Sequence, residues 1–152
     1  MSLHDPLLGR ETTARLSQLD DLEACVVIYL RLWCAGPEGR CAMRTDLANG
    51  LGAARAATAT QAFSEMVDIL THHRRRPLHR HALQCACLHP DEGCFAHFVA
   101  SAASDDREGA LWMAMQMVRA DLAPQLTAAA GSFGLRIRQM LVQRPETPAY
   151  LH

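Results

Sequence analysis

Aromatic residues are scarce in this chain of 152 residues, at 5% of the total. Alanine, leucine and methionine dominate the 49% hydrophobic share instead. That composition favours packed helices over a β-sandwich, and no stretch alternates with the period of two that a half-buried strand requires. Charge of one sign is also missing. The net charge is -1, which gives no global attraction to nucleic acid or to an anionic membrane surface. Long apolar runs are absent too. The run from Cys25 to Leu30 stops at Arg31, far short of the roughly 20 residues that span a bilayer. The opening MSLHDPLLGR has neither a basic n-region nor an apolar core, so no signal peptide is expected. Together these absences predict a soluble, cytoplasmic protein with no membrane partner, in which binding to nucleic acid would need a local patch.

Catalytic signatures are equally hard to find. There is no phosphate-cradling glycine motif, no G-x-S-x-G elbow and no His-Glu pair to open a zincin helix. Leu83 stands where a deaminase-type H-x-E starting at His81 would need glutamate. Glu92 is the one side chain to weigh as a hydrolytic base. The expectation is a binding or regulatory role rather than catalysis.

The periodicity predicts an all-α fold, a single domain over residues 1–152 built as a bundle of about six or seven helices, with 1–12 and 144–152 as irregular tails. From about Thr13, Leu16, Leu19, Leu22 and Val26 recur at helical spacing, and Ser17 with Asp20 offers a later N-cap. Val26 to Trp33 is apolar on nearly all sides except at Arg31, so this helix should be central. Gly36-Pro37 ends it and starts the next, which Asn49-Gly50-Leu51-Gly52 breaks. A third helix should run from about Ala53 to His73. Pro77 to Gln84 suggests a short helical turn or two, and Cys85 to His89 a tight turn. Further helices are expected from Pro90, after Asp105 with Glu108 as a capping pair, and from about Asp121 and Pro124 to Gln143. Gly131 and Gly134 inside the last helix suggest close helix contact or a local break.

Against this quiet background one window is dense. His72 to His97 holds six of the eight histidines and three of the six cysteines. In a reducing compartment such clustering points to metal ligation or thiol chemistry before a disulfide framework. Zinc takes four ligands, most often thiolate and imidazole. His81 and Cys85, four apart, would share one side of a helical turn; Cys87 would join by a sharp bend at Ala86; and Cys94 would close the set from the next helix. The expected site is thus a structural Zn2+ held by His81, Cys85, Cys87 and Cys94, with His79, His89 and His97 as substitutes. The competing plain reading makes the cysteines small buried hydrophobes and the histidines surface groups. A thiol-based redox sensor is a further alternative.

Three interaction readings complete the picture. RTDLANGLGAARAATATQAF has the outline of a helix-turn-helix, whose second helix would offer Arg55, Thr58, Thr60 and Gln61 to DNA. That is a weak reading surface and the overall charge is against it, so two ordinary packed helices are the plainer account. Arg74, Arg75 and Arg76 form the best patch for an anionic partner. Trp112, Met113, Met115 and Met117 make one helix apolar almost all round, so it is either central or the seam of a homodimer.

Overall fold

A computed structural model describes residues 14–143, so both expected tails lie outside the described residues. Six helices form one all-α bundle: α1 (Asp21–Cys34), α2 (Pro37–Leu51), α3 (Ala53–His73), α4 (Pro90–Ala102), α5 (Arg107–Met117) and α6 (Ala123–Gln143). A 3-10 turn at Leu16–Gln18 precedes them. No helix among the described residues is long and apolar enough to cross a membrane.

The helix with the longest buried run is α1, which packs against α2, α4 and α6, and α6 touches all five other helices. Every residue from Ala24 to Trp33 is buried, Arg31 included. The helix begins later than its apolar spacing suggests. Asp20, not Ser17, is the N-cap, its carboxylate accepting from the Glu23 N–H at 2.8 Å. The preceding residues are drawn elsewhere. Leu16 N–H donates to the Ala86 carbonyl at 2.9 Å and Leu88 N–H to the Ala14 carbonyl at 2.7 Å. Residues 14–16 therefore pair with 86–88 in an antiparallel bridge between Arg15 and Cys87, which takes up backbone groups that a longer helix would have used.

Five of the eight Phe, Trp and Tyr residues gather in one place. Phe63 of α3 meets Trp33 at 5.4 Å, Phe133 at 4.8 Å and Phe95 at 6.4 Å between ring centroids, and Tyr29 meets Phe133 at 6.3 Å. Four helices share this cluster, with tilted or edge-to-face geometry that suits the ring quadrupoles. The Tyr29 hydroxyl donates to the Asp46 carboxylate of α2, so the polar end of the ring is satisfied.

Gly52 alone separates α2 from α3 and has φ +83°, a conformation that costs a side chain dearly and glycine nothing. Close contact, not a break, explains the glycines of α6. A Cβ at Gly134 would stand 2.7 Å from the Cβ of Ala103 and 3.1 Å from the Val99 carbonyl oxygen; the bare backbone lets α6 lie tightly on α4. At the edge of the bundle sits α5, whose only buried residues are Ala110 and Ala114. Trp112 is 61% exposed, so this helix is peripheral.

Candidate functional site

Between α3 and α4 the chain runs from residue 74 to 89 without a helix. The helical turns expected at Pro77–Gln84 and the tight turn expected at Cys85–His89 do not form. Only a hydrogen-bonded turn at Ala82–Cys85 remains, with Cys85 N–H donating to the Ala82 carbonyl at 3.0 Å. The reason lies in α1. The Arg31 guanidinium is buried beneath this segment and collects its carbonyls. Nη1 donates to Cys85 O at 2.7 Å and Leu83 O at 3.5 Å, and Nη2 to Cys87 O at 2.8 Å. The remaining face of the fork meets Glu92 of α4, with Nε to Oε2 at 2.7 Å and Nη2 to Oε1 at 2.8 Å. Both side chains are fully buried. All five guanidinium protons thus have an acceptor, the condition under which a charge can be taken out of water. Carbonyls aimed at a cation on one edge and at residues 14–16 on the other are not free to close a helical ladder.

Glu92 is consequently a structural acid. Its Oε1 also accepts the His89 N–H at 3.0 Å, and with no exposed surface it is not placed to act as a hydrolytic base. His89 is the N-cap of α4, its Nδ1 accepting from the Asp91 N–H at 3.0 Å. A histidine in that role carried no conventional capping signal in the sequence.

The four expected zinc ligands are dispersed along this framework. His81 and Cys85 are half-buried on the non-helical segment, Cys87 is exposed at the bridge to Arg15, and Cys94 is exposed in the first turns of α4. Ligand atoms from three or more His, Cys, Asp or Glu residues come within 4.8 Å of one another in a single group among the described residues: His79, His89 and Asp91. His81, Cys85, Cys87 and Cys94 form no such group. Two of the substitute histidines are thus brought together, and His81 stands beside them, its ring centroid 5.6 Å from that of His89. The His79 and His89 rings are 5.2 Å apart. Asp91 was legible only as a first-turn carboxylate. Here its Oδ2 accepts from the His79 backbone N–H at 2.7 Å and lies 3.0 Å from His79 Nδ1. Burial pushes the Asp91 carboxyl up, but the two His79 hydrogen bonds and the neighbouring His89 and His79 charges outweigh it and leave it below the usual carboxylate range.

Cys34, Cys41, Cys85, Cys87 and Cys94 are free thiols. Burial pushes the Cys34 thiol above its ordinary value, against the opposing pull of Arg80, Arg40 and Arg74, which favours the less reactive protonated form.

Beside the histidines a cavity of about 270 Å³ opens between the end of α3, the following segment, α4 and α5. Leu70, Leu78, Met113 and Met117 supply apolar wall, and Arg74 and Arg76 supply cationic groups. Asp91, Cys94 and His97 line its α4 side. Arg75 points away and is used differently: its N–H donates to the Met117 carbonyl at 2.9 Å and its Nε to the Val118 carbonyl at 3.2 Å, tying the segment to α5.

In the helix-turn-helix stretch, the Thr58 and Thr60 hydroxyls donate to the carbonyls of Ala54 and Ala56 in their own helix. Arg55 and Gln61 remain exposed. No protein-family model, no curated protein and no solved structure matches this chain.

Proposed function

We propose that the protein is a small binding or regulatory module that takes a divalent transition-metal ion of the zinc class at His79, His89 and Asp91. The observation that supports this reading is the convergence of those three ligand atoms within 4.8 Å on a segment already anchored from beneath by Arg31. Two imidazoles and a carboxylate form a familiar borderline-soft donor set, with a position left for water or a fourth ligand. The half-buried His81 adjoins His89 and is the nearest candidate for that position. Loading exchanges existing bonds for coordinate ones. Asp91 must share or release the two hydrogen bonds from His79, and His89 Nδ1 now caps α4. The affinity should therefore fall below that of a dedicated thiolate site.

Calorimetric titration of chelator-treated, tag-free protein with zinc tests the reading. The expected result is one ion per chain, with binding lost in His79→Ala and in His89→Ala. Cys85→Ser and Cys87→Ser should bind as wild type does. Absence of saturable binding overturns the proposal, and loss confined to the cysteine variants would return the ion to the thiolate set.

A further inference from the structure

We infer that the cavity beside Asp91 binds a small amphipathic anion, an apolar body ending in a carboxylate. This inference is independent of any metal at the histidines. Its first support is the division of the lining. Leu70, Leu78, Met113 and Met117 offer a wall without charge, and the unbranched methionines adapt to ligand shape at little cost. The volume of about 270 Å³ sits at the lower edge of the range of about 300–1,000 Å³ typical of small-molecule sites. A medium-length chain or a single ring system suits that size better than a full membrane lipid.

The second support is charge. Arg74 and Arg76 line the same cavity, and neither has an ion-pair partner among the described residues. The contrast with Arg31, whose five donors are all met inside the protein, and with Arg75, which is bonded to the Val118 carbonyl, is direct. Every one of the fifteen basic side chains in this protein is arginine. A guanidinium presents two parallel N–H donors to a carboxylate, a geometry that an ammonium cannot reproduce. The one acid in the lining, Asp91, does not oppose an incoming anion strongly, since its Oδ2 is engaged by the His79 N–H and held close to the His79 ring.

Titration with decanoate, decanol and decyl phosphate, each below its micelle concentration, tests the assignment. Chemical shifts of the Met113 and Met117 methyl groups report the location. Decanoate should bind saturably, shift both methyl groups, and exceed decanol in affinity by about tenfold, the worth of one charge-assisted contact. Arg74→Gln with Arg76→Gln should remove that advantage and leave decanol binding unchanged. His89→Ala, at a residue outside the cavity lining, should leave decanoate binding intact, which separates a failure of this site from a failure of the metal site. Equal affinity for decanol and decanoate, or methyl shifts elsewhere in the protein, overturns the inference. So does the absence of binding by any of the three. Tighter binding of decyl phosphate than of decanoate overturns the carboxylate assignment and moves the site to phosphate esters. A circular dichroism spectrum of the double variant matching wild type excludes misfolding as the cause.

Discussion

The aromatic cluster around Phe63 and the segment from residue 74 to 89 both rest on α1, yet they are held by opposite chemistry. The cluster joins four helices through contacts between apolar rings, with one polar tip, the Tyr29 hydroxyl, bonded to Asp46. The segment has no helix and few buried apolar side chains, and it is tied down by a buried guanidinium, one glutamate and three main-chain carbonyls. Apolar contact is non-directional, so its loss leaves a cavity whose size sets the cost. A buried charge is directional, so removing one member strands the other. The donor-rich segment is thus shaped by a cation from the core, whatever else it goes on to bind.

Several substitutions would sharpen that contrast, beginning with the most damaging. Arg31→Met should cost about 3–5 kcal/mol in urea unfolding, because Glu92 is left buried without its counter-charge. Adding Glu92→Leu should restore part of the loss, since it removes the stranded carboxylate while the Leu83, Cys85 and Cys87 carbonyls stay without their donor. Phe63→Ala should cost a similar amount, about 3–5 kcal/mol, but no second substitution at a ring neighbour should rescue it. A rescue at both sites, or at neither, would erase the distinction between the two regions. Next comes Gly134→Ala, expected to cost about 1–3 kcal/mol by overpacking α6 against Ala103 and Val99.

Smaller effects attach to the segment. Cys85→Ser and Cys87→Ser should shift stability by no more than about 0.5 kcal/mol in chelator, since the backbone carbonyls of these residues, not their sulfurs, hold the structure. The smallest effect concerns acid. The folded Asp91 carboxyl lies below its ordinary value of 3.8. The unfolded state therefore binds the proton more readily, and Asp91 contributes stability above that value which is lost as pH falls through the folded one. Asp91→Asn should flatten this part of the acid limb in a pH series of melting curves: its small loss of stability is present at neutral pH and vanishes as pH falls through the folded value.

Much of the helical frame was legible because local rules agree with packing. Gly36-Pro37, Gly52, the Pro90 start and the Ala53–His73 stretch carry stop and start chemistry that the bundle obeys. The late beginning of α1 was not legible, since residues 14–16 are claimed by a bridge to a partner some seventy positions away. Gly131 and Gly134 left contact and break open until Ala102 and Ala103 were placed beside them.

The candidate site was legible in location and obscure in membership. The density of histidine and cysteine marked the stretch in which His79, His89 and Asp91 come together, and His79 and His89 were within view as substitutes. Assigning His81 and Cys85 to one face presupposed a helix that Arg31 prevents. The most informative signal was the lone arginine in an otherwise apolar run from Ala24 to Trp33. A charge at such a position requires partners. Its acid partner was not legible, because Glu92 lies 61 residues away and local pattern does not report long-range pairing.

Amide hydrogen exchange on chelator-treated protein tests the central claim most directly. With Arg31 and Glu92 intact, the Leu88 amide, bonded to the Ala14 carbonyl, should be protected without any metal. That protection should collapse in Arg31→Met before the amides of α3 lose theirs. A Leu88 amide that exchanges freely in the wild type until zinc is added would contradict the account, and would make the ion, not the guanidinium, the organiser of the segment.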